Sequence, residues 1–177
     1  MKNDNKGFSL IELIVVIAIM AILVGALAPQ VTKYIEKSRI ATDKQAIGAL
    51  FTAIQTVEAD PDITSGTLAL GGANNDYNNA IAEILGGGAG AAIYNQGGTG
   101  LVKLQSNTYK NAPIGVNITS GTVSIYVDLV DTANKMNEKG FVVTASGTKQ
   151  YGTGDAASTC TYKSSGTQPG GGGVNNN

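Results

Sequence analysis

Between Phe8 and Ala28 the chain reads FSLIELIVVIAIMAILVGALA, twenty-one residues of which only Glu12 carries a charge. As an α-helix rising about 1.5 Å per residue, this run spans about 30 Å, the thickness of a bilayer's hydrocarbon core. A helix apolar all round cannot be left in water, so lipid, other copies of itself or the interior of a fold must cover it. The chain has 177 residues, and setting the run aside leaves enough for one modest core.

Three identities compete for the run: a cleaved secretory signal, a permanent anchor and a buried helix. Ala26-Leu27-Ala28 offers a signal-type cleavage site, but Pro29 follows it directly. The run also exceeds the roughly 7 to 15 apolar residues of a secretory signal, and Glu12 interrupts it. A permanent anchor fits the length, yet a carboxylate at the bilayer centre costs about 2.5–3.5 kcal/mol, less near an interface. Glu12 therefore either stays wet at the membrane edge or meets a positive partner in the apolar phase. No Lys or Arg follows it until Lys33, so such a partner must come from elsewhere.

The flanking charges do not orient the segment. Lys2 and Lys6 stand against Asp4 on one side, and Lys33, Lys37, Arg39 and Lys44 against Glu36 and Asp43 on the other. A count of Lys and Arg near the ends does not place the N-terminus inside.

Helical periodicity continues past the run. Val31, Tyr34, Ile35, Ile47, Leu50, Phe51, Ile54 and Val57 recur at three- and four-residue steps, with Lys33, Glu36, Lys37, Arg39, Asp43 and Lys44 on other faces. The pattern predicts one helix from about Phe8 to Ala59, ended by Asp60-Pro61 and about 75 Å long. Pro29 lacks the N–H that would bond the carbonyl of Gly25, itself a weak helix former. Gly25 and Pro29 thus mark either an ordinary kink or a hinge that bends or unwinds when the segment leaves lipid.

Beyond the helix the chain is rich in small residues, with 24 Gly and neither Trp nor His. This composition reads as short strands, many turns and polar loops. Tyr77–Leu85 is expected as a short helix closed by Gly86-Gly87-Gly88, and Leu101–Leu104 as a strand. From Thr122, Val123, Ile125, Val127 and Leu129 alternate with Ser124, Tyr126 and Asp128, a strand with one buried face. Thr132–Lys139 reads as a short helix capped by Thr132 and stopped at Gly140; Phe141–Ala145 and Thr159–Lys163 read as further strands. Gly166–Asn177, of low complexity, reads as a mobile tail.

Chemistry is sparse in this head. The absence of His removes the commonest general base and metal ligand. Cys160 is the only cysteine, so neither an intramolecular disulfide nor a cysteine metal site is available. The glycine stretches 86–90 and 97–100 lack a following Gly-Lys-Ser/Thr and are read as loops. Asp128, Asp131 and Asn134 offer oxygens without EF-hand spacing, and Asp131-Thr132 looks like a helix cap. Asn74, Asn75, Asp76, Asn78 and Asn79 read as a solvated loop, and the sequon Asn117-Ile118-Thr119 as chance. No catalytic, cofactor-binding or metal residue is assigned. The formal net charge of −1 makes no bulk case for a nucleic-acid partner.

One stretch is far more specific. Lys6-Gly7-Phe8-Ser9-Leu10-Ile11-Glu12-Leu13, followed by an apolar run broken at Pro29, closely resembles the leader of type IV pilins and the related pseudopilins. The resemblance covers about the first 35 residues. It implies cleavage after Gly7 by a membrane-embedded prepilin peptidase and methylation of the new N-terminal Phe8. It also implies an assembly role for Glu12, which can neutralise the Phe8 amine of a neighbouring subunit. Many family members of Gram-negative origin staple a C-terminal loop with two cysteines, a pattern that this chain lacks.

The resulting expectation is an α+β chain, with a long N-terminal helix, transmembrane in its first half and amphipathic in its second, packed on a small antiparallel β-sheet head. Residues 1–7 are a leader, 8–60 the helix with 8–28 as membrane and polymerisation segment, 61–163 the head and 164–177 the tail. The resemblance implies a structural subunit, not an enzyme: a single-pass membrane precursor that polymerises with itself through the pilus assembly machinery into a surface filament for adhesion, aggregation or motility. A pseudopilin of a secretion or DNA-uptake machine shares the same N-terminal residues, and a membrane-tethered enzyme would need an acid/base constellation this head does not offer.

Overall fold

The computed structural model describes residues 8–63, 68–119, 121–130, 135–150 and 162–163. The first element, α1, runs Leu10–Glu58 and passes through Pro29 without interruption. Phe8 and Ser9 precede its first turn, and Ala59–Asp62 form the turn that ends it, with the Asp62 N–H donating to the Asp60 carboxylate at 2.9 Å. The chain divides into two compact units, Met1–Ser38 and Arg39–Asn177, with the boundary inside α1.

In the second unit the helix residues Ile47, Leu50, Phe51, Ile54 and Val57 are all buried, the face anticipated from their spacing. They share one core with Ile114, Val116, Ile125, Val127 and Phe141 from the sheet. A five-stranded antiparallel sheet is built from β1 (Ile114–Thr119), β2 (Thr122–Val130), β3 (Lys135–Thr144), β4 (Gly147–Gln150) and β5 (Tyr162–Lys163), in the spatial order β4-β3-β2-β1-β5. An amphipathic helix and a sheet with one apolar face bury each other, which is the α+β solution expected. Val31, Tyr34 and Ile35, part of the same periodic pattern, are exposed in the first unit.

Two expected elements are overturned. Thr132–Lys139 is not a helix: residues 135–139 belong to β3, with Leu129 opposite Met136 and Val130 opposite Lys135. The stretch has helix-forming residues but no apolar period to bury, so strand pairing decides. Leu101–Leu104 is not a strand. Leu101 and Val102 donate consecutive N–H groups to the carbonyls of Ala92 and Ile93, whereas a ladder alternates sides. Gly100 lies against Ile93 and Tyr94, where an added Cβ would come within 2.8 Å of backbone atoms. Residues 131–134, 159–161 and 164–177, which carry the proposed Thr132 cap, the start of the last strand and the tail, lie outside the described residues.

In β2, Val123, Ile125 and Val127 are buried as the alternation required, but Tyr126 on the opposite face is buried too. The register shifts between Val127 and Leu129, and Asp128 between them has φ 69°. A bulge here gives the strand one extra residue at a backbone angle few non-glycine residues adopt.

The second helix, α2 (Asp76–Ile84), is capped by Asn75, whose side chain accepts the Asn78 N–H. At its other end the Gly87 N–H donates to the Ala82 carbonyl and the Gly86 N–H to that of Glu83, with Gly86 at φ 79°. These two bonds are a Schellman closure, so the glycine stretch terminates a helix. The asparagines around it also do more than face solvent. Asn78 is buried and exchanges two hydrogen bonds with the backbone of Ala69, while Asn79 accepts the Gly90 N–H.

Candidate functional site at the N-terminus of the long helix

Ser9 and Glu12 form a reciprocal cap at the start of α1. The Ser9 N–H donates to Glu12 Oε2 at 2.8 Å, and the Ile11 N–H reaches Ser9 Oγ at 3.4 Å. Ser-x-x-Glu is the capping-box arrangement, in which two of the helix's orphan donors are satisfied by the pair. The carboxylate also sits at the positive end of the helix dipole. The Ser9-Leu10-Ile11-Glu12 spacing carries that signal, which neither the membrane-edge nor the assembly expectation for Glu12 included.

Around this cap none of the described residues covers the apolar side chains. Among the large hydrophobic side chains from Phe8 to Leu27, exposure runs from 46% to 96%, with Phe8 the highest. The helix is long and apolar enough to cross a membrane. Left in water, this much apolar surface is strongly unfavourable at about 25 cal/mol per Å². Phe8 and Glu12 both lie at one end of this exposed apolar stretch. Gly7 lies outside the described residues.

Farther along, the Pro29 position has lost a helix bond by chemistry. Thr32 follows it, and its hydroxyl donates to the Pro29 carbonyl at 3.0 Å and lies 3.3 Å from that of Ala28. Such back-bonding competes with backbone partners and favours bending. A Cβ at Gly25 would meet no atom within 4 Å, so packing inside the chain does not demand glycine there.

In the second unit the polar groups hold structure together. Asp43 is fully buried on α1, and its carboxylate accepts the N–H groups of Gln105 at 2.6 Å and Ser106 at 2.9 Å. The sequence reading placed Asp43 on a polar face, but its spacing to Ile47, Leu50 and Ile54 is that of the buried stripe. The Tyr94 hydroxyl donates to the Ala112 carbonyl, and the Tyr109 hydroxyl to that of Lys139. Burial pushes the Tyr94 phenol well above its ordinary range, and the nearby carboxylates of Asp43 and Asp128 push it further. Of the oxygens considered for a cation, only those of Asp128 belong to a described residue. Among the described residues no group of three or more acidic, Cys or His side chains is placed to hold a metal ion.

Residues 2–28 match the family model of the prokaryotic N-terminal methylation motif, which includes the Gly7–Phe8 junction. The type IV major fimbrial protein FimA of Dichelobacter nodosus is 34% identical over 121 residues, covering 63% of this chain and 77% of that protein. The chain belongs to the type IV pilin family. A second FimA from the same organism is 42% identical to this pilin over 60 residues, 34% of the chain and 38% of the relative. Prepilin peptidase-dependent protein A of Clostridium perfringens is 36% identical over 64 residues, 36% of the chain and 46% of that protein. No solved structure matches the pilin. With its leader motif the chain is a pilin precursor and a structural pilus subunit.

Proposed function

We propose that prepilin peptidase hydrolyses the Gly7–Phe8 peptide bond and that the new Phe8 amine is methylated. The subunit then waits in the cytoplasmic membrane as a single-pass protein. It leaves lipid by polymerising with other copies of itself, through the pilus assembly machinery, into an extracellular filament. The uncovered apolar run ending in a carboxylate carries this reading. Copies of the run can cover one another, and cleavage supplies the missing positive charge, since a methylated amine still binds a proton.

Glu12 then pairs with the Phe8 amine of a neighbouring subunit. In an apolar bundle either charge alone is penalised, and their attraction is far stronger than on a wet surface. The pair rewards one axial stagger between neighbours and penalises the others. The Ser9 N–H occupies only Oε2 of the Glu12 carboxylate, which leaves Oε1 to accept from the neighbour's amine. Gly25 and Pro29 act as the hinge that lets the helix adjust as the segment passes from lipid to filament. The polymer presents its heads outward for adhesion, aggregation or surface motility, and its work is assembly, not catalysis.

Intact mass of subunits sheared from cells tests the processing step. The expected chain lacks residues 1–7 and carries one methyl group on Phe8, and Gly7→Ala is expected to leave uncleaved precursor in the membrane. A mature chain beginning at Pro29 would instead establish an ordinary secretory signal.

A further inference from the structure

The cations Lys33 and Lys37 lie on the flank where a count of basic residues argued against the orientation that the pilin leader implies. Both are exposed, within the first unit. At about 100° per residue, Gln30, Lys33, Tyr34 and Lys37 fall within about 100° of arc on α1, and Glu36 falls outside it. Tyr34 is 69% exposed, and the Lys37 ammonium stands 5.8 Å from the centre of its ring. The stripe is therefore amphipathic: an aromatic body with a cation over its face, and a second cation one turn away.

Its depth is fixed by the apolar run. If residues 8–28 fill the hydrocarbon core, Lys33 and Lys37 have backbones about 7 to 14 Å beyond it. Helical side chains lean toward the helix N-terminus, which here is toward the bilayer, and lysine stems reach several ångströms farther. Both ammonium groups thus arrive at the layer of lipid headgroups, with Tyr34 at the depth where tyrosines form interfacial belts.

From this placement we infer that Lys33, Tyr34 and Lys37 form a binding stripe for the phosphate groups of anionic phospholipids. The stripe holds the unassembled subunit at a set depth, with Tyr34 keeping the Lys37 ammonium over its ring and near the headgroups. Attraction between exposed cations and an anionic lipid surface is the complementarity that selects this occupant over the uncharged headgroup. This inference rests on the membrane reading of residues 8–28 and adds the lipid class that the outer flank recognises.

The test uses the full chain, reconstituted with phosphatidylcholine and phosphatidylglycerol in equal amounts, and counts the lipids retained on the monomer by native mass spectrometry. Phosphatidylglycerol is expected to be retained in preference to phosphatidylcholine, by roughly five-fold per lysine and thus about twenty-five-fold in all. The preference should fall to near parity in K33Q/K37Q, and by less in Tyr34→Phe than in Tyr34→Ala, since the ring is kept in the first. Carbonate extraction of each variant from the vesicles reports insertion separately. Insertion retained with no phosphatidylglycerol preference, or with a preference unchanged in K33Q/K37Q, would overturn the headgroup stripe and leave the membrane segment standing. Loss of K33Q/K37Q self-association at constant lipid retention would assign the lysines to a second copy of the chain and overturn it as well. Extraction of the wild-type chain by carbonate would remove the membrane reading and the stripe together.

Discussion

The two units of this pilin share one helix and differ in whether the chain can finish them alone. In the second unit the α1 residues from Asp43 to Val57 that face the core are buried against groups the chain itself supplies, down to the two backbone N–H groups that satisfy the Asp43 carboxylate. In the first, Leu10 to Leu27 are apolar on every side but for Glu12 and exposed on every side. Helix propensity does not separate the two stretches. What separates them is amphipathicity: a stripe of apolar residues specifies a partner within the fold, whereas an unbroken apolar cylinder specifies a medium, lipid or other copies of itself.

Removing the cylinder should have the largest effect. A chain beginning near Val31 is expected to be soluble, monomeric and cooperatively folded, because the core lies in the second unit. Light scattering with thermal denaturation checks this, and an aggregated or unfolded product would show that the second unit is not self-sufficient.

Within that shortened chain, Phe51→Ala should cost about 3–5 kcal/mol in urea denaturation, the range for deleting a buried aromatic ring. A loss near zero would mean that the helix face is wrong. Asp43→Ala should cost about 2–4 kcal/mol by leaving the buried Ser106 N–H and the part-buried Gln105 N–H without their acceptor. The two residues lie on one helix stripe, and only the aspartate's loss should be partly recovered by Asn, which keeps an acceptor.

A smaller effect concerns alkaline pH. The folded Tyr94 phenol is raised by burial first and by Asp43 and Asp128 second. In the unfolded chain it ionises near about 10. Its contribution is therefore fully present below about pH 10 and is lost as pH rises toward the folded value, because the unfolded chain releases that proton first. Tyr94→Phe should cost about 1 kcal/mol at neutral pH, for the bond to Ala112, and should flatten the stability loss above about pH 10. An unchanged alkaline slope would remove Tyr94 from that role.

Legibility follows the same division. The buried stripe Ile47-Leu50-Phe51-Ile54-Val57, the α2 segment and the alternation in β2 were readable because each is a local period with one apolar face. The start of β3 was not, since Lys135 to Lys139 gain their conformation from pairing with β2 across a bulge at Asp128 that no local pattern announces. Asp43 was misplaced because a carboxylate was read as a surface residue, although its spacing put it on the buried face. At the proposed assembly site, the residue types of Phe8 and Glu12 were legible from the leader, and the Ser9–Glu12 cap lay in plain view at its usual spacing.

Glu12 should matter least to the folded head and most to the polymer. Changing it to valine makes the segment more apolar and removes the carboxylate from the Ser9 cap, at a cost of about 1 kcal/mol to the first turn of α1. Insertion, cleavage after Gly7 and head stability should all remain. Filament yield, measured by electron microscopy of sheared surface material from cells expressing Glu12→Val as the only pilin, is the most direct test of the pairing. Few or no filaments are expected, with mature, membrane-held subunits accumulating, and a Glu12→Gln strain resembling Glu12→Val more than wild type. Normal filaments, with the Glu12→Val subunit confirmed in them by mass spectrometry, would contradict the pairing.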